Sequence, residues 1–67
     1  MKYPNLKAEM ARRGFTGGDI AFIIGRQQGA VSRKLNGKSD FTTTEAILIQ
    51  KALGVDIPLE KLFEKED

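Results

Sequence analysis

The side chains of this chain that could do chemistry are hydrogen-bonding groups and cations rather than acids, bases or nucleophiles set up for catalysis. Gln28, Ser32 and Arg33 carry the first kind. Their spacing puts Gln28 and Ser32 on one face of a helix with Arg33 beside them. Lys2, Lys7, Arg12, Arg13, Arg26, Arg33, Lys34 and Lys38 carry the second kind, all of them in the first 38 residues and set against only Glu9 and Asp19 there. Residues 39–67 reverse the balance, with Lys51, Lys61 and Lys65 against seven carboxylates, so the two parts carry +6 and −4. A basic part joined to an acidic part orients a molecule in the field of a polyanion; chance clustering on a solvated surface would give the same counts.

The missing residue types exclude most reactions. Without histidine the chain lacks the usual general base and the commonest transition-metal ligand. Without cysteine it has no thiolate metal site, no thiol nucleophile and no disulfide, which fits a reducing cytoplasm. Gly37-Lys38-Ser39 matches the end of a phosphate-binding P-loop. The first glycine which that motif requires is Ser32 here, inside a helical pattern with no strand before it. No spacing fixes two carboxylates in one pocket. The expectation is a protein that is not an enzyme and uses no cofactor and no metal.

The elements that must position the polar face come next. Sixty-seven residues make one domain, residues 1–67, with a thin core. Glycines and capping residues divide it into five short helical segments with almost no strand signal. The first runs from Pro4 to Arg13, with Leu6 and Met10 four apart and Gly14 as its stop. Thr16 caps the second, Asp19 completes a short capping box, and Ile20, Ile23 and Ile24 make its apolar face before Gly25. The third spans about Gln27 to Asn36, turns Val31 and Leu35 inward and Gln28, Ser32 and Arg33 outward, and closes at Gly37. Thr42 and Glu45 form a full capping box for the fourth, whose inward stripe is Ala46, Ile49 and Leu53 and whose stop is Gly54. Pro58 opens the fifth, with Leu59, Leu62 and Phe63, before the acidic tail Glu64 to Asp67. The longest apolar run, Ile20 to Ile24, is far short of the ~20 residues that span a bilayer, and no export signal opens the chain. A cytoplasmic protein is expected.

Residues 16–37 therefore read as a capped helix, a glycine turn and a second helix with an apolar inner edge and a polar outer edge, the anatomy of a helix-turn-helix. Ala21 must be small for the two helices to cross closely. Thr16, Ile20-Ala21, Ile24-Gly25, the run from Val31 to Lys38, and Ala52-Leu53-Gly54-Val55 together resemble the phage repressor and Cro type of DNA-binding domain, the XRE family, and the likeness extends from Leu6 to Phe63. The resemblance implies an all-α, five-helix, lambda-repressor-like DNA-binding domain. It also implies a regulator of transcription, a phage or prophage repressor, that reads double-stranded DNA in the major groove as a dimer on a near-palindromic operator.

Carried over by position, Gln28, Ser32 and Arg33 become base readers. Arg can bond twice to guanine and Gln twice to adenine, while Ser pairs with either. Thr16 and Gly17 at the start of the second helix, and Gln27 before the third, become phosphate contacts through free backbone amides. Asn36 and Lys38 match positions that grip the backbone, with Arg26 and Lys34 as helpers. Lys34 is equally well read as a solvated lysine, whereas for Lys38 the phosphate contact is the better of those two readings. The chain departs from the family's pattern at Gly17, Arg26, Gly29 and Asp40, and at Met10 and Leu35, where an apolar contact between the first and third helices replaces an ion pair of some relatives.

Two features stay open between uses. Val55, Ile57, Leu59, Leu62 and Phe63 either form a homodimer contact or complete the monomer core. Phe22, off the apolar stripe of its helix, either meets a protein partner or packs against neighbouring loops and arginines. The alternative function is an antitoxin-like or protein-interaction module of the same fold, in which DNA binding is secondary or lost.

Overall fold

In the computed structural model, which describes residues 3–65, five helices follow one another: α1 (Pro4–Arg13), α2 (Gly17–Ile24), α3 (Gln28–Leu35), α4 (Thr43–Leu53) and α5 (Leu59–Leu62). No strand occurs among the described residues. Lys2 and the tail residues Glu66 and Asp67 lie outside them.

Local chemistry accounts for the helix ends. Pro4 stands at the start of α1, where its missing N–H costs nothing, and Arg12 and Arg13 sit in the last turn, where cations face the negative end of the helix dipole. Both expected capping boxes form: Thr16 with Asp19 at α2, and Thr42 with Glu45 at α4. Gly25 ends α2 at φ 69°, a left-handed conformation that a side chain would strain, and its neighbour Arg26 N–H donates to the Ala21 carbonyl at 2.9 Å. This closes α2 and turns the chain into α3 within three residues. The last helix is a single turn in which Pro58 is the cap and Phe63 already lies past the end.

Leu6, Ile20, Val31, Ile49 and Leu62 are fully buried, with Tyr3, Met10, Ala21 and Leu53 around them. Each helix thus contributes at least one side chain to a common core, which is what keeps elements this short helical. Leu62 is a core residue at 0% exposure, so it is withdrawn from the expected dimer contact; Val55, Ile57, Leu59 and Phe63 remain partly exposed. Phe63 stacks edge-on against Tyr3 and Phe41, with ring centroids 6.0 and 5.4 Å away, and closes the α5 end of the core.

The helices are not equally embedded. α2 packs on both α3 and α4, and α1 packs on α4 and α5. Among the helices, the backbone of α3 comes close to α2 alone. Met10 and Leu35 both join the common core, across helices whose backbones do not approach. No described helix is long and apolar enough to cross a membrane.

Candidate nucleic-acid interface

The backbone of α3 approaches that of α2 alone among the helices, and the side of α3 that carries Gln28, Gly29, Ser32 and Arg33 is exposed. Val31 is buried and Leu35 half-buried on the inner side, and Gln28, Ser32 and Arg33 are exposed on the outer side, as the spacing predicts. The three line two different clefts. Gln28 and Ser32 line a shallow cleft together with Lys7, Gly17, Leu35 and Asn36. Arg33 lines a second cleft on the opposite flank of α3, with Gln27, Gly29, Ala30, Lys34 and Ser39. The helix therefore stands as a ridge with polar side chains directed to both sides.

The N-terminus of α2 borders the first cleft. Thr16 is fully engaged there: its N–H and its hydroxyl donate to the Asp19 carboxylate at 2.8 and 3.1 Å, and its hydroxyl accepts from the Asp19 N–H at 3.2 Å. Thr16 accordingly offers no free donor for a phosphate, which corrects that part of the expectation. The Gly17 and Gly18 amides have no acceptor among the described residues, nor do those of Gln27, Gln28 and Gly29 at the start of α3. Unpaired amides at two helix starts are the donors an anion needs, although Asp19 adds a negative charge at the first. Past the end of α3, the Lys38 N–H returns to the Arg33 carbonyl at 2.9 Å, which fixes the turn while the Asn36 and Lys38 side chains stay exposed.

Lys34 has a different place. It is buried at 9% exposure, and its ammonium donates to Glu45 Oε1 at 2.9 Å and to the Asp40 carbonyl at 3.1 Å, 5.7 Å from the centre of the Phe41 ring. It cannot reach a phosphate without leaving that nest, and it is removed from the set of phosphate contacts. Arg26 stays half-exposed but also donates, through Nε, to Glu45 Oε2 at 3.0 Å. Burial by itself would push the Glu45 carboxyl up; the Thr42 N–H, the Lys34 ammonium and the Arg26 guanidinium outweigh it and hold the group below the usual carboxylate range. Asp40, one of the departures from the family's pattern, is paired with Lys65; that hydrogen bond and charge lower its carboxyl and raise the lysine.

Three participants are not assigned to the site by the sequence. Lys7 enters the first cleft from α1, Ser39 enters the second from the loop after α3, and Glu45 anchors α3 from below. For Glu45 a signal was present: it lies four residues before Ile49 and eight before Leu53, on the inward stripe of α4. Lys34 shares the inner side of α3 with Val31 in the same way. Lys7 and Ser39 carry no such signal, because their positions depend on how α1 and the loop cross α3. Phe22, at 89% exposure, packs against nothing that shields it. No family model, curated protein or solved structure matches the chain.

Proposed function

We propose that this chain is a sequence-specific, double-stranded-DNA-binding regulator of transcription, a repressor of phage or prophage type, with α2 and α3 as its helix-turn-helix. The observation that carries the reading is the ridge formed by α3: an eight-residue helix whose backbone approaches one other helix and which exposes Gln28, Ser32 and Arg33, with unpaired amides and Lys38 on its borders. A ridge of that size fits a major groove about 12 Å wide. Gln28 and Ser32 would meet base edges from one flank and Arg33 from the other. The Gly17 amide, the amides around Gln27, Asn36 and Lys38 would hold phosphates on either side, with Lys7 as an added cation. One helix reads only a few base pairs, so useful specificity needs two copies. The partly exposed Val55, Ile57, Leu59 and Phe63 are the surface offered for that contact, on a near-palindromic operator.

The exposed Phe22 favours a second reading, in which the same fold serves a protein partner and DNA binding is secondary. Selection of bound sequences from a random duplex library, at two salt concentrations and with Arg33→Ala in parallel, separates the two. A near-palindromic motif whose preference shifts in the variant supports the dimeric reader; weak binding without a motif moves the function to a protein partner.

A further inference from the structure

Glu45 belongs to α4, yet it holds the two cations that bracket α3. Arg26 lies just before α3 and Lys34 in its last turn, and their bonds of 3.0 and 2.9 Å go to different oxygens of one carboxylate. That carboxylate is itself fixed by its own helix, since Oε1 also accepts from the Thr42 N–H at 3.0 Å within the capping box. No close backbone packing of α3 on α4 accompanies these bonds. Crossing angles between helices packed through ridges and grooves scatter by about 15–20°, so backbone packing on α2 alone does not prescribe one orientation of α3. Two charged bonds to one fixed acceptor, near opposite ends of the helix, add a constraint that the packing of Val31 and Leu35 on the core does not supply.

The burial of the group argues the same way. Glu45 and Lys34 are 5% and 9% exposed, and a buried ion pair of this kind contributes little net stability against an apolar replacement of the same size. Its remaining effect is directional, because a displaced Lys34 would be left buried without a counter-charge.

We infer that Glu45 is a positioning residue for α3: through Arg26 and Lys34 it fixes the roll of the helix on α2, and so the directions in which Gln28, Ser32 and Arg33 point. The consequence for base reading rests on the function proposed above, since base contacts tolerate only about 10–20° of misorientation.

The test uses Glu45→Gln, which keeps size and the acceptor for Thr42, and Lys34→Met, which removes the cation without stranding it. Residual dipolar couplings of the free protein give the orientation of α3 relative to α4, and binding to a selected duplex and to a random duplex gives the specificity ratio. The expected result is a reorientation of about 10° or more confined to α3 in both variants. With it the specificity ratio falls about tenfold, while random-duplex affinity does not fall, because Lys38, Arg26 and the Gly17 amide are untouched. An α3 orientation unchanged in both variants overturns the inference, as does a loosening spread over all five helices. A wild type that selects no duplex removes the DNA-reading function alone, and the couplings still decide whether Glu45 sets the helix.

Discussion

The side-chain amide of Gln28 lies over the backbone of Gly18, across the gap between the starts of α3 and α2. A Cβ at position 18 would stand 3.8 Å from that amide and 3.6 Å from Thr16 Oγ1, both ordinary contact distances. Glycine is therefore not required there by space, and the first turn of α2 carries its conformational cost for no steric return. Gly18→Ala is expected to stabilise the protein by roughly 0.5–1 kcal/mol, through helix propensity and a less flexible unfolded chain. Urea titration checks this: the midpoint should rise with an unchanged slope, and a lower midpoint would mean that α2 needs glycine for a reason other than room.

Arg33 and Lys38 are both exposed cations near the end of α3, but their assigned partners differ. Under the proposed function Arg33→Ala loses roughly 1–3 kcal/mol on the preferred duplex and relaxes one base position, whereas Lys38→Ala weakens all duplexes alike and lowers the salt slope by about 1. Titrations of specific and random duplexes over a range of salt distinguish them. Identical behaviour of the two variants would remove the division between base and phosphate contacts.

The elements were legible because the chain states them locally. Thr16 with Asp19 and Thr42 with Glu45 are readable as pairs three apart, and Gly14, Gly25 and Gly54 stand where α1, α2 and α4 stop. The exposure of Gln28, Ser32 and Arg33 follows from their offset to Val31 and Leu35. What local spacing could not state is tertiary. That Glu45 meets cations 11 and 19 residues earlier in the chain depends on how α4 crosses beneath α3. The withdrawal of Lys34 from solvent and the division of the polar face between two clefts depend on the same crossing. Tyr3 is a further case: one residue before α1, it is 2% exposed because Phe41 and Phe63, far along the chain, close over it.

Glu45 makes stability acid-sensitive in a defined direction. Its carboxyl is held below its ordinary value in the folded protein, so the folded state binds this proton less readily than the unfolded chain does. The stabilisation is complete above the ordinary carboxylate range and is lost as pH falls through that range toward the lowered folded value, where protonated Glu45 leaves Lys34 without its counter-charge. Melting temperatures measured from neutral pH downward should drop in that window, and Glu45→Gln should flatten this part of the profile while lowering the neutral-pH value. A profile in the variant that parallels wild type would assign the acid sensitivity to other carboxylates.

Leu59 and Leu62 lie three residues apart on the one-turn helix α5 and should behave in opposite ways. Leu62 is wholly buried, and Leu62→Ala is expected to cost about 2–5 kcal/mol, a large part of the total stability of a domain this small. Leu59 is half-exposed on the proposed dimer surface, beside a groove formed with Tyr3, Phe41, Ala46 and Phe63. A carboxylate there can remain hydrated in the monomer but would have to be desolvated in an apolar contact between copies. Leu59→Asp is therefore expected to keep a helical circular dichroism spectrum and a cooperative melt, yet to bind a two-half-site operator as separate monomers with lower affinity. Sedimentation of the free and DNA-bound variant reads this directly. A folded variant that still forms a dimer on DNA would move the dimer contact away from α5.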